Sequence, residues 1–185
     1  MSHPHRVVAL IGSTSERSRT QALVEAIVAA LAARLPVQVE TLSLRTLAPH
    51  LLPQGAPAPA LQQALDTITA ADLLIAATPV YKGSYAGLFK HLIDLVPPEA
   101  LVGRPVLLAA TGGSDRHALV VDHQLRPLFA FFRAQSVPSA VYAAEADFDG
   151  LAVRSAALQS RIDEAAAQAA QLLVAPRADV LALAA

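Results

Sequence analysis

The sequence predicts an α/β domain built on one doubly wound parallel sheet, and three observations carry that expectation. Short apolar runs alternate with amphipathic helical patterns along the chain. The middle runs, 73–77 and 106–110, carry no alternating polar residues, as strands buried on both faces require. Several runs end in punctuation that stops strands: Gly12, Thr78-Pro79 and Thr111-Gly112-Gly113.

Taken in order, 6–11 reads as a buried first strand ended by Gly12. Residues 19–34 place Leu23, Ile27, Ala30 and Leu31 on one helical face. Residues 37–44 alternate, with Val37, Val39 and Thr41 in register, as on a more exposed second strand. The Pro- and Gly-rich stretch 49–59 predicts a surface loop, and Leu61, Leu65 and Ile68 mark the next helix. A third strand over 73–77 leads to a short helix over 86–95 that is apolar nearly all round. The fourth strand, 106–110, precedes a long helix over 115–133, a fifth strand over 137–143 and a final helix over 152–174. Right-handed crossovers then require a parallel sheet covered by helices on both faces; of the two common doubly wound strand orders, 2-1-3-4-5 is the one expected here. Residues 1–175 make one domain. The tail 176–185, with its apolar Val180-Leu-Ala-Leu183, is expected to be disordered or packed on a neighbouring subunit.

Composition removes whole classes of function. There are no cysteines, so disulfides, thiolate nucleophiles and Cys-ligated metals are excluded. Net charge is −1 and only Lys82 and Lys90 are lysines, which argues against a nucleic-acid groove. No apolar stretch approaches the roughly 18 residues of a membrane span, and the start lacks a secretory h-region. A cytoplasmic protein is expected. His3, His5, His50, His91 and His117 lack metal-ligand spacing, and no nucleophile elbow supports Ser84, His91 and Asp94 as a hydrolase triad.

In an open α/β sheet, ligands bind beyond the carboxyl ends of the strands at the switch point. That rule selects the loops 12–21, 78–85 and 111–117. The first has no dinucleotide fingerprint and no Gly-Lys-Ser/Thr. It is instead rich in hydroxyls (Ser13, Thr14, Ser15, Ser18, Thr20), with Arg17 and Arg19 among them. Such groups at a helix N-terminus suit a phosphate dianion, and they suit plain helix capping equally well. In the second loop Pro79 stiffens the chain, Gly83 permits positive φ, and Tyr81 and Tyr85 offer flat amphipathic surfaces. In the third, Gly112 and Gly113 leave bare backbone against which a planar ring can lie.

The combination Gly12-Ser13-(x)4-Ser18-Arg19-Thr20, Ala77-Thr-Pro-Val-Tyr-Lys82 and Ala110-Thr-Gly-Gly-Ser114 resembles the NAD(P)H-dependent FMN reductases of flavodoxin-like fold. More narrowly, Val121-Asp-His-Gln-Leu-Arg-Pro127 is similar to the reductases of two-component alkanesulfonate and methanesulfonate monooxygenase systems. The resemblance implies hydride transfer from NAD(P)H to FMN and release of reduced FMN to a separate flavin-dependent monooxygenase. The flavin performs the chemistry, so no protein acid or base is named. The phosphate set is Ser13, Ser18, Arg19, Thr20 and Gln21. Pro79, Val80, Tyr81 and Lys82, with Thr111, Gly112, Gly113 and Ser114, should bracket the ribityl chain and the isoalloxazine. Thr14 and Ser15 stand where the family often has Pro-Arg, which leaves open whether Arg17 or Arg19 meets the phosphate. Arg116 and Arg126 are candidates for a 2′-phosphate. The rivals are a same-fold quinone or azo reductase that keeps its FMN, and a flavodoxin-type electron carrier; the near-neutral charge disfavours the carrier.

Two further expectations concern the second half of the chain. Pro127 cannot donate to the carbonyl of His123 and crowds it, so a regular helix there costs about 3 kcal/mol. A π-bulge would relieve the clash, and a plain proline kink with His123 as a partly exposed packing residue is the alternative; the resemblance points to the bulge and places the inserted residue at His123, beside the flavin at a subunit interface. The surplus apolar surface of 86–95, with Phe129, Phe131 and Phe132, predicts burial between subunits in a homodimer, and by resemblance a homotetramer.

Overall fold

The structure, a computed structural model, describes residues 3–52 and 58–175. The expected tail and part of the 49–59 loop lie outside the described residues. Strand β1 (His5–Ile11) runs into the cleft loop and helix α1 (Arg19–Ala32). The Ser18 hydroxyl caps α1 by accepting from the Gln21 N–H, and Leu23, Val24, Ile27 and Leu31 form its buried stripe. Strand β2 (Val37–Ser43) is the exposed edge that its alternation predicted. A short helix α2 (Leu44–Leu47) and a 3₁₀ turn at Ala48–His50 follow, where a loop was expected from Pro49. Leu44 and Leu47 turn inward there, while Pro49 sits at a position of the turn that needs no N–H donor.

Helix α3 (Pro59–Thr69) starts on proline and buries Leu61, Leu65 and Ile68. Strand β3 (Leu73–Tyr81) does not stop at Thr78-Pro79; it continues to Tyr81 and folds back on β4 (Ser84–Tyr85). The proline is tolerated for a geometric reason. The Ala77 carbonyl faces β1, accepting from the Gly12 N–H at 2.7 Å, and Pro79 faces the same side two residues later. Strand β1 has ended there, so the missing donor costs no ladder bond. Lys82 and Gly83 form the two-residue turn, both at positive φ (52° and 82°), as a type I′ hairpin demands.

Helix α4 (Gly87–Asp94) leads to β5 (Pro105–Gly112), which likewise outruns its expected end at Ala110. The expected long helix over 115–133 is broken. A 3₁₀ turn spans Asp115–His117, a π-helical turn spans Val121–Leu125, and regular helix α5 covers only Arg126–Ala130. The Arg126 N–H reaches back five residues to the Val121 carbonyl, and His123 sits in the middle of the widened turn.

The expected fifth strand is two pieces, β6 (Gln135–Ser136) and β7 (Val141–Ala144), both parallel to β5. Pro138 lies in the break. Arg126 donates to the carbonyls of Val137 and Pro138, Arg161 to that of Ala140, and the Ser139 N–H donates to Gln168. The backbone groups that leave the ladder are thereby satisfied. A small hairpin, β8 (Phe148–Asp149) with β9 (Ala152–Val153), precedes α6 (Ala156–Val174), capped by Ser155.

The sheet order is β2-β1-β3-β5, with β6 and then β7 beyond β5. This is the doubly wound 2-1-3-4-5 arrangement of flavodoxin-like folds, its last strand split. Leu74, Ile75, Leu107 and Leu108 are wholly buried. One core, containing Leu10, Leu61, Phe89 and Phe129, lies beneath α3, α4 and α5; the other, with Ile11, Ile27, Val141 and Ile162, lies beneath α1 and α6.

The proposed surplus of apolar surface shrinks in the folded chain. Phe129 and Phe132 belong to this chain's own core, because after Ala130 the chain leaves the helix and turns at Arg133 (φ 53°). Phe131 remains 69% exposed, Leu119 64% and Leu88 39%. Among the described residues, no helix is long and apolar enough to cross a membrane.

Candidate functional site

The carboxyl ends of β1, β3 and β5 open into one cleft of about 430 Å³. Its floor near β1 is set by Gly12. A Cβ there would stand 2.7 Å from the Ala77 carbonyl oxygen and 2.8 Å from the Phe89 ring, so only glycine lets β1 leave the sheet this close to β3. From that exit the chain supplies Ser13, Ser15, Arg17, Ser18, Arg19 and Thr20 as the first wall. The opposite wall is Pro79, Val80 and Tyr81 from the end of β3, and the third is Thr111, Gly112 and Gly113 from the end of β5.

Ten of the thirteen expected binding residues therefore line one cavity. The other three do not. Gln21 points along α1 to Glu25, Lys82 is committed to the exposed hairpin turn, and Ser114 is exposed beyond the cavity wall. Each lies one step past the residues whose side chains or backbone face the cleft.

The hydroxyls have divided duties. Ser18 caps α1, and Ser13 accepts from the Ser15 N–H at 3.2 Å. Thr20 and Thr111 share a buried hydrogen bond of 2.6 Å that ties the first wall to the third. Thr78 accepts from the Ala86 N–H and donates to the Pro79 carbonyl, fixing the approach to α4. Capping leaves donors to spare: with Ser18 taking the Gln21 N–H, the first two N–H groups of α1, on Arg19 and Thr20, have no intrahelical acceptor.

The arginines differ. Arg19 pairs with Glu145 at 2.6 Å through one terminal nitrogen, and its Nε is buried with no partner. Arg17 lines the cleft, is exposed and makes no ion pair among the described residues. Arg126, a candidate for a 2′-phosphate, is already committed to Asp122 and to the carbonyls of Val137 and Pro138.

The third wall is backed by a residue the sequence reading passed over. Tyr142 of β7 donates to the Ser114 carbonyl at 2.6 Å, and a methyl on Gly112 would fall on its hydroxyl. Burial first, then the charges of Asp115 and Asp147, push the Tyr142 phenol above its ordinary pKa of 10.0. Gly150 and Leu151, the two-residue tip joining β8 and β9, also reach the cleft. Asp149-Gly150 is a turn signal, and reading it would have placed a hairpin ahead of the last helix. The set-aside triad is not assembled: His91 bonds the Leu51 carbonyl, Ser84 bonds Gln124 and Asp94 pairs with Lys90. No group of three metal-ligating side chains occurs among the described residues.

Comparison with known proteins falls in line with this geometry. The family described as NADPH-dependent FMN reductase matches residues 5–149. An FMN reductase (NADPH) of Pseudomonas aeruginosa is 52% identical over 93% of this chain and 94% of its own length. The NADH-dependent FMN reductase SfnF of Pseudomonas fluorescens is also 52% identical, with the same two coverages. Among solved structures, the apo form of an NADH:FMN oxidoreductase (EMOB) superposes with a TM-score of 0.85 at 34% identity, covering 93% of this chain and 91% of that one.

Proposed function

We propose, from the premise that this chain belongs to the NADPH-dependent FMN reductase family, that it takes FMN as a substrate, reduces it with NAD(P)H and hands the product to a separate flavin-dependent monooxygenase. The observation that carries the reading is the fit of the cleft to a flavin mononucleotide. The buried, unpartnered Nε of Arg19 stands beside the N-terminus of α1, which suits a phosphate dianion. The bare backbone of Gly112 and Gly113 gives a planar ring a surface to lie on, with Tyr142 filling the space behind.

When bound there, the flavin supplies the redox chemistry, accepting hydride from the reduced nicotinamide. The chain's own contribution is positioning. Ser13, Arg19 and the N–H groups of Arg19 and Thr20 hold the phosphate end. Pro79 to Tyr81 and Thr111 to Gly113 set the ring plane, and the Thr20–Thr111 bond fixes the distance between those walls. Tyr81 is 56% exposed at the rim, where a nicotinamide can approach.

The π-helical turn at His123 is, in this reading, where the site is kept loose enough to exchange flavin. Leu119 and Phe131, exposed before and after that turn, are offered as contacts of a homodimer or homotetramer. A cytoplasmic location belongs to the same proposal, since NAD(P)H and a partner monooxygenase are needed together.

The test is oxidation of NADH and of NADPH with free FMN, followed by gel filtration. Turnover with flavin eluting apart from the protein supports release of product. A yellow protein that turns over quinone instead would favour a flavin-retaining reductase.

A further inference from the structure

Arg19 is an unusual residue with which to begin a helix. A cation in the first turn opposes the helix dipole, so the position is electrostatically poor for α1 itself. Such a local inconsistency is expected where a residue serves a ligand instead of the fold. The chain offsets it from 126 residues away: the Glu145 carboxylate accepts from the Arg19 guanidinium at 2.6 Å. Glu145 stands on a firm base. It opens a 3₁₀ turn directly after β7, closed by the Asp147 carboxylate accepting from the Ala144 N–H, and the Asp147 carbonyl accepts from both Arg154 and Ser155. Its side chain is 59% exposed and that of Arg19 40%, so water and a ligand can reach the pair.

We propose that Glu145 competes with the flavin phosphate for Arg19, and so sets how readily FMN leaves. This rests on the reading of the cleft as an FMN site. Two anions are offered to one guanidinium. The arriving phosphate must share Arg19 with Glu145 or displace it, and in leaving it hands Arg19 back to a carboxylate already in place. Release therefore never strands an unpaired cation in the cleft wall. A flavin without phosphate makes no such demand, and Arg19 stays with Glu145 throughout. Glu145 thereby lowers the affinity for FMN specifically, which suits a protein that must give up its flavin.

The test compares FMN and riboflavin binding by flavin fluorescence, with dissociation rates by stopped flow, in the parent, Glu145→Gln, Glu145→Asp, Arg19→Ala and the Arg19→Ala/Glu145→Gln double variant. Glu145→Gln should bind FMN about two- to fivefold more tightly, the range expected of a partly exposed ion pair, mainly through slower dissociation. Riboflavin binding should stay within about twofold, Glu145→Asp should resemble the parent, and the gain should vanish without Arg19. Weaker FMN binding in Glu145→Gln would show that the carboxylate props Arg19 toward the phosphate, and would overturn the proposal. Equal tightening of both flavins, or a gain that survives Arg19→Ala, would overturn it as well. If the parent prefers FMN to riboflavin but Glu145→Gln leaves that preference unchanged, this inference alone fails. If the parent shows no preference, the phosphate reading of the first loop fails and takes the inference with it.

Discussion

Replacing Gly12 by alanine should cost the protein a large part of its stability, because the added methyl has no room and no flexible neighbour. Its three nearest atoms would be the Ala77 carbonyl oxygen at 2.7 Å, a Phe89 ring carbon at 2.8 Å and the Thr78 Cα at 3.1 Å. Two of these are backbone atoms of the central strand β3, and Phe89 is wholly buried. Relief requires β1 and β3 to part where the Gly12 N–H meets the Ala77 carbonyl at 2.7 Å. Overpacking costs about 1–3 kcal/mol and the weakened hydrogen bond about 1 kcal/mol, together about 2–4 kcal/mol. For a chain of this size that lowers Tm by about 4–16 °C. Calorimetry on Gly12→Ala and Gly113→Ala makes the comparison internal. A Cβ on Gly113 meets nothing within 4 Å and its φ is not positive, so that variant should melt near the parent. A Gly12→Ala protein melting within about 2 °C of the parent would refute the close-approach argument.

Three other outcomes are expected. Thr111→Val should destabilise the protein by about 1–3 kcal/mol in urea titrations by leaving the buried Thr20 hydroxyl unpaired, while Thr20→Val/Thr111→Val should cost less than the two single changes summed. The raised pKa of Tyr142 means that above about pH 10 the unfolded chain loses a proton the folded chain keeps, so its stabilising share is full below pH 10 and lost as pH rises further. Urea midpoints should therefore fall more steeply above pH 10 in the parent than in Tyr142→Phe; identical slopes would count against that burial. Deleting His123 should restore a regular turn between Val121 and Pro127, and the variant should leave gel filtration carrying more FMN than the parent and transfer less of it. Equal flavin content and equal support of a monooxygenase would remove the turn from the exchange mechanism.

What the sequence made readable was whatever repeats with a short period or ends abruptly. The double burial of β3 and β5, the exposed edge β2 and the capped start of α1 all follow from local pattern, while crossover handedness gives the parallel, doubly covered sheet and leaves two common strand orders. Pro127 four residues after His123 was enough to foresee a break in the helix, since the conflict is local, and the family resemblance chose a π-helical turn over a plain kink. The errors concern interactions between distant residues. Whether Pro79 ends a strand depends on where β1 stops, and whether Phe132 is surface or core depends on how the chain turns at Arg133. Glu145 and Tyr142 carry no motif; each matters through a partner, Arg19 or Ser114, that folding alone brings near. The 430 Å³ cleft was located from the strand ends, but its hairpin lip at Gly150 and Leu151 was not.

The split last strand has a consequence for how this fold can change length. Val106 pairs with Ser136 while Ala109 pairs with Val141, so β5 advances three residues where the other chain advances five. The surplus of two is even, and side chains alternate with period two. Val141 and Ala143 therefore still face the α1 and α6 core, and Tyr142 still faces the opposite side, behind Gly112. An insertion or deletion of a single residue between Ser136 and Val141 would invert that alternation, sending Tyr142 into the wrong core and Val141 toward the Gly112 wall of the cleft. Loss or gain of two would leave it intact. Natural length variation in this segment should come in pairs, and an engineered one-residue deletion there should be far more damaging than a two-residue one.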